Sequence, residues 1–317
     1  MLAPLLRVNN VVKTYSINEG SFYSPQRRKV RALQGVSFEI GDGETLVILG
    51  RNGSGKSTLC KIIAGITRPD SGGVFLNGEN ITQNVTRLSR QIGIVLGPTL
   101  IYFRMRGHDY LEFFAKIYGV SNYEKRIEQL SEEVGLGSRI RDYVESYSIG
   151  MKMKISLARA LLHDPSLLIL DEFTMGLDPT SATEVREMVQ GTGKSVLITT
   201  HNAVEAEIMA DQIAFISDGK LTTITKTETL LAASEAERML EFSLSRREGI
   251  DYVIGNFNAT ISENGKVQMH VSSKDVPDLL QHLKTFGLGS LEVRKPTLED
   301  LYAKYTSRPY QANTIDA

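Results

Sequence analysis

The 317-residue chain contains no tryptophan and one cysteine, Cys60. A single cysteine excludes an internal disulfide and fits a reducing compartment. Charge of one sign is also lacking. Thirty-six basic side chains meet 37 acidic ones, a net charge of −1, so whole-chain charge gives no reason to expect a nucleic-acid partner. No apolar run reaches the roughly 18 residues that a membrane-spanning helix needs. The opening MLAPLLRVNN has no basic stretch ahead of its short apolar piece, which argues against a secretory signal. Internal repeats and low-complexity tracts are missing too. What is there is ordinary globular composition, 41% hydrophobic and 23% charged, on a chain long enough for about two domains.

Local patterns divide the chain. LLRVNNVVKTY and VRALQGVSFEI read as strands, and the polar segment between them as a loop or hairpin extension. ETLVILG is a compact apolar run, expected as a buried strand, with a helix from Gly55 to about Ala64 stopped by Gly65. Residues 72–98 read as strands and turns. The period then becomes helical. Tyr110, Leu111, Phe114, Ile117 and Tyr118 fall on one face, and Ser121 with Glu124 reads as a capping box for a helix carrying Ile127, Leu130 and Val134. A further helix is expected from Ser148 to about Leu162, before Pro165. SLLILDE and SVLITTH read as buried strands with a helix near residues 182–189 between them, and QIAFISDGKL as a hairpin. Beyond Lys226 come RMLEFSLS, FNATISE, KVQMHVS and LGSLEVR, expected as strands, with a helix at DVPDLLQHLKTF.

Gly50, Arg51, Asn52, Gly53, Ser54, Gly55, Lys56 and Ser57, followed by Thr58, match the phosphate loop G-x-x-x-x-G-K-[ST] in its proper place, after a strand and opening a helix. Glycines let the backbone curl so that successive N–H groups face one anion, and the helix dipole adds to the attraction. Lys56 is expected to reach the β- and γ-phosphates of ATP, and the Ser57 hydroxyl to bind Mg²⁺. LLILDE puts Asp171 at the C-terminal end of a buried strand, where open α/β sheets bind ligands; Asp171 is expected in the Mg²⁺ shell and Glu172 as acceptor of a proton from water. His201 ends the strand SVLITT and is expected at the γ-phosphate or the attacking water. Ser148 and Gly150 open a second helix start of the kind that holds anions, although Ser148 also reads as a plain N-cap.

GRNGSGKS, YSIGM, LLILDE, GLDP and TTH, in this order and spacing, resemble the nucleotide-binding subunit of ATP-binding-cassette (ABC) transporters over residues 5 to about 220. The resemblance implies that YSIGM is the signature motif. Ser148 and Gly150 then contact the γ-phosphate held by a second copy paired head to tail. It implies that Tyr15 stacks on adenine, with Phe22 or Tyr23 as alternatives, and that Asp178 in GLDP lies at the dimer interface. One position departs. The family's glutamine after the strand IGIVL is Gly97 here, while Gln91 lies at the strand's other end. That departure, the signature region and the tail KPTLEDLYAKYT resemble the subfamilies that work with ABC-2-type membrane subunits.

The expected fold is therefore α/β: a P-loop NTPase (RecA-like) core with an antiparallel β subdomain and a helical insert, plus a small C-terminal α+β domain. The expected boundaries are 5–225, with the helical subdomain at about 100–160, and 236–306. The implied partners are a second copy and ABC-2-type permease subunits, and the implied location is cytoplasmic, on the inner face of the cell membrane. The alternative is a soluble ABC ATPase, for example of the iron–sulfur assembly type. The run Arg27, Arg28, Lys29 and Arg31 reads either as a solvated face or as a contact for anionic headgroups or the membrane partner. Cys60 reads as a small buried hydrophobe.

Overall fold

A computed structural model describes residues 3–19, 26–97, 104–257, 259–262 and 264–306. The chain divides into two compact units, Met1–Ile224 and Thr225–Ala317.

In the first unit, β1 (Leu6–Glu19) and β2 (Gln26–Ile40) pair antiparallel from Leu6↔Ile40 out to Glu19↔Gln26. The polar gap of the sequence is thus largely the outer end of a two-stranded ribbon. β3 (Thr45–Leu49) leads through the phosphate loop into α1 (Lys56–Ile63). Then come β4 (Ser71–Leu76), β5 (Glu79–Asn80), the short helix α2 (Val85–Leu88) and β6 (Ile92–Leu96). The all-strand reading of 72–98 did not anticipate α2. Helices α3 (Gly107–Tyr118), α4 (Tyr123–Glu133) and α5 (Ile149–Leu161) make the helical insert. β7 (Leu167–Asp171), α6 (Pro179–Gly191), β8 (Ser195–Thr200), α7 (Ala203–Met209), β9 (Gln212–Ser217) and β10 (Lys220–Lys226) complete the unit.

Two sheets result. The antiparallel one has the order β2-β1-β4-β5; the other has the order β10-β9-β3-β8-β7-β6, in which β9, β3, β8, β7 and β6 run parallel. Every residue of β7 and β8 is buried, as expected of parallel strands covered on both faces. α1 lies in the core formed by both sheets: Leu59, Cys60, Ile62 and Ile63 pack with Leu33, Ile40 and Leu76 on one side and Leu46, Ile169 and Leu197 on the other. That packing fixes the helix start against the C-terminal ends of β3, β7 and β8.

The insert corrects two expectations. α4 starts at Tyr123, and its N-cap is Asn122 in the left-handed region (φ 54°) with no side-chain cap bond. Asn tolerates that conformation, so the turn replaces the expected Ser121–Glu124 capping box. Ile117 is 57% exposed, so the apolar face of α3 is narrower than its period suggested.

The second unit contains α8 (Thr227–Glu235), β11 (Glu237–Leu244), α9 (Arg247–Asn256), β12 (Thr260–Ile261), β13 (Val267–Ser272), α10 (Val276–Lys284), β14 (Leu288–Arg294) and α11 (Leu298–Thr306). Its sheet order β12-β13-β11-β14 and the sequence β-α-β-β-α-β from β11 to β14 are those of a ferredoxin-like split βαβ unit. FNATISE shortens to the two-residue β12, and α9 was not anticipated. Leu240, Phe242, Val267 and Met269 alternate onto the face that packs Val253, Leu279 and Leu283. Phe242 is fully buried there. Phe242→Ala is expected to destabilise this unit by about 3–5 kcal/mol, read by denaturant unfolding and by loss of amide protection in β11 and β13.

Candidate functional site

The phosphate loop spans the end of β3 and the start of α1. Gly55 has φ 109°, and a Cβ there would lie 2.4 Å from the Ala32 carbonyl oxygen, so only glycine fits both its backbone and its neighbour. α1 begins without a side-chain cap, leaving its first N–H groups available to an anion. Ser54 is buried and its hydroxyl has no hydrogen-bond partner. Lys56 is 5% exposed. Its ammonium donates to the carbonyls of Gly50 (2.7 Å) and Arg51 (3.2 Å) and lies 3.2 Å from Glu172 Oε1. An orphaned hydroxyl, an uncapped helix and a buried ammonium held by backbone oxygens form a donor set that fits a polyphosphate. Ser57 is exposed beside this loop and Thr58 half-buried.

β7 and β8 supply the carboxylates and the histidine. Asp171 is buried, and its Oδ1 accepts from Thr199 Oγ1 of β8. Thr199 also contacts Cys60 Sγ at 3.6 Å. Burial, then the Asp171 charge, pushes the Cys60 thiol far above its usual range, so it stays a neutral packing group. Glu172 has φ 50°, a turn that swings its side chain out of the strand direction. Its N–H donates to the Thr199 carbonyl, and its Oε2 lies 2.7 Å from His201 Nδ1. Lys56, Glu172 and His201 thus form one continuous chain of contacts across the ends of β3, β7 and β8. The structure brings these three sequence-predicted residues together.

Gly97 follows β6, and its N–H donates to the Asp171 carbonyl at 3.1 Å. Its contribution is a backbone tie to the carboxylate strand. Gln91 sits at the other end of β6, where its side chain accepts from Asn77. Tyr15 is half-buried in β1 with the Lys13 ammonium 5.6 Å from its ring centre. Phe22 and Tyr23 lie outside the described residues, as does the segment 98–103 after Gly97.

Among the described residues no hydrogen bond joins Ser148 or Gly150 to this loop. Ser148 caps α5, accepting from the Met151 N–H at 3.2 Å. A Cβ on Gly150 would lie 2.8 Å from Ser181 Oγ, so glycine permits the close approach of α5 to α6. Asp178 caps α6, accepting from the N–H groups of Thr180 and Ser181. The Ser181 side chain, then backbone donors, holds its carboxyl below the usual range. Within one chain, Ser148 and Asp178, two of the three residues that the resemblance assigned to an interface, serve as helix caps.

Relatives decide what this site belongs to. The linearmycin resistance ATP-binding protein LnrL of Bacillus subtilis is 31% identical over 96% of this chain and 99% of its own length. The chain belongs to the ATP-binding subunits of ABC transporters. The family profile described as ABC transporter matches residues 33–175, from β2 through the phosphate loop to the turn after Glu172. The bacitracin transport ATP-binding protein BcrA of Bacillus licheniformis is 31% identical over 75% of this chain and 76% of its own. A dimeric ATP-binding cassette solved in a post-hydrolysis state with ADP and Pi is 25% identical, covers 70% of this chain and 98% of that one, and superposes with a TM-score of 0.61. The chain is accordingly an ATP-binding, ATP-hydrolysing subunit with a P-loop NTPase fold.

Sequence reasoning missed Thr174, Thr199, Thr200 and Glu205, the hydroxyl and carboxyl groups behind the ABC motifs. Asn202 followed by Glu205 was the one available signal, since it has the spacing of an N-terminal cap box. Asn202 does cap α7, accepting from Val204 and Glu205 N–H groups. Glu205 instead turns inward to Thr174. Gly55→Ala should strain the loop against β2, lowering the melting temperature and weakening binding of a fluorescent ATP analogue at least tenfold, measured by a melting curve beside a titration.

Proposed function

We propose that this ABC subunit energises an exporter by closing head to tail on a second copy around two ATP molecules and driving ABC-2-type permease subunits. The observation that carries the reading is the Lys56–Glu172–His201 chain beside an uncapped, glycine-lined helix start. It is an arrangement ready to exchange its internal contacts for phosphate oxygens. The exporter assignment draws on relatives named for linearmycin resistance and bacitracin transport. No helix among the described residues is long and apolar enough to cross a membrane, so the translocation path is assigned to the permease. The proposed location is the inner face of the cell membrane. The soluble, transport-free alternative has no observation in its favour.

In this reading Lys56 leaves the Gly50 and Arg51 carbonyls and Glu172 for the β- and γ-phosphates, with N–H groups of residues 50–58 around them. Tyr15 stacks on adenine. Ser57 and Asp171 are the residues that would hold Mg²⁺, which supplies charge neutralisation at the phosphates. Freed from Lys56, Glu172 accepts the proton of the attacking water. His201 donates Nδ1–H to Glu172, because a carboxylate only accepts. It can also donate to a phosphate oxygen from Nε2 only as the imidazolium. Ser148 and the helix start at Gly150 complete the site of the second copy, and Asp178 faces it across the interface. Since Gly97 brings no side chain, it can offer a metal or water only its backbone. Most of the acceleration is positioning and charge stabilisation.

Two measurements test this. Glu172→Gln should retain ATP in a dimer stable to gel filtration, with hydrolysis reduced at least a hundredfold; hydrolysis at the parental rate would remove Glu172 from the base role. Chain purified from solubilised membranes of its own cell should carry a polytopic protein in equal amount, identified by mass spectrometry. Recovery with soluble proteins alone, and absence from the membrane fraction, would overturn the exporter reading.

A further inference from the structure

Behind the catalytic turn lies a carboxyl group that the site as described does not use. Glu205, on the first turn of α7, is fully buried. Thr174 Oγ1 donates to its Oε1 at 2.5 Å. The Glu205 backbone N–H donates to Asn202 Oδ1 at 3.3 Å. Thr200 Oγ1 accepts the Asn202 N–H at 3.0 Å, so the cap residue is itself tied to the end of β8. The two threonines occupy corresponding places. Thr174 stands two residues after Glu172, on the turn leaving β7, and Thr200 immediately precedes His201 at the end of β8.

We propose that Glu205 is a positioning residue for hydrolysis, a buried clamp that holds the turn bearing Glu172 to the strand end bearing His201 and so sets the contact between those two side chains. The inference rests on the proposed roles of Glu172 and His201. Three geometric facts support it. Glu172 adopts φ 50°, a conformation that an L-residue keeps only when its surroundings hold it. The turn after it is tied locally, Met175 N–H to the Glu172 carbonyl and Leu177 N–H to the Thr174 carbonyl, so fixing Thr174 fixes the whole turn. The Asn202 cap ties the Glu205 N–H to the residue after His201, so α7 cannot move without moving the histidine. The clamp thereby joins the turn that leads into the Asp178 cap to the end of β8 through one residue.

Burial pushes the Glu205 carboxyl up, and its Oε2 has no hydrogen-bond partner. The contact the clamp makes is acceptance of the Thr174 hydroxyl proton, which depends on the reach of the side chain. A neutral amide of the same length can therefore replace it, whereas a shorter acid cannot.

The test is ATP hydrolysis by the purified full-length chain with Mg²⁺, comparing Glu205→Gln, Glu205→Asp, Glu205→Ala and Thr174→Val. Melting temperature and titration with a fluorescent ATP analogue accompany each variant, and Glu172→Gln serves as control. Glu205→Asp, Glu205→Ala and Thr174→Val should each lower kcat at least tenfold with KM for ATP within twofold of parental. Glu205→Gln should recover at least half of the lost kcat, and combining Thr174→Val with Glu205→Ala should cost no more than either alone. A parental kcat in Glu205→Asp or Glu205→Ala would overturn the proposal. So would losses that follow melting temperature and analogue affinity, which mark a merely structural role. If Glu172→Gln itself hydrolyses ATP normally, the underlying reading fails. If Glu172→Gln is inactive and the Glu205 variants are parental, the clamp alone is wrong.

Discussion

A buried ammonium at the end of a parallel sheet is the constraint on which the nucleotide unit is organised. Lys56 is almost wholly removed from water, and an uncompensated charge there would cost several kcal/mol. The fold supplies two backbone oxygens from its own loop and a carboxylate from a strand two places away. Each compensation requires something of the architecture. The carbonyls of Gly50 and Arg51 can turn toward Lys56 only because the loop between them is built on glycines. Glu172 reaches it only because β8 sits between β3 and β7 and the chain turns sharply after Asp171. In the proposed mechanism a ligand richer in negative charge than those three partners displaces them, and the release of Glu172 is the same event that readies it as a base.

The same economy operates at the other end of the helical insert. Ser148 and Asp178 each cap a helix within their own chain, and each is a residue that the proposed function sets at the interface between two copies. A cap of this kind is worth about 1 kcal/mol to its helix and holds the start of that helix rigid. Rigid, dipole-aligned helix starts are what an anion on a facing subunit would meet. The capping role and the interfacial role are compatible, because the first positions the groups that the second uses.

Much of this was legible from residues. The phosphate loop has a fixed spacing, and LLILDE and SVLITTH are apolar runs that only buried strands accommodate. Their order, with glycine-rich punctuation, identified the core and the three residues Lys56, Glu172 and His201 before any coordinates. The departures have physical causes. Asn122 took a left-handed turn that displaced a plausible capping box. The helix Arg247–Asn256 carries only one fully buried side chain of weight, Val253, so its period was faint. FNATISE has the composition of a strand, but among its described residues Thr260 and Ile261 alone pair with β13. Thr174 and Glu205 were invisible because burial of a carboxyl against a hydroxyl from another element depends on where separate elements end, and no local pattern records that.

The central claim is that a complete hydrolytic site takes its phosphate loop from one copy and its second helix start from another. Mixing two inactive variants tests it directly. Lys56→Ala removes the loop's cation, and Ser148→Arg blocks the second helix start. Each alone should lose ATP hydrolysis. An equimolar mixture should regain a measurable part of it, because one heterodimeric site then combines an intact loop with an intact helix start. A mixture as inactive as its components, although both variants form dimers, would contradict the account.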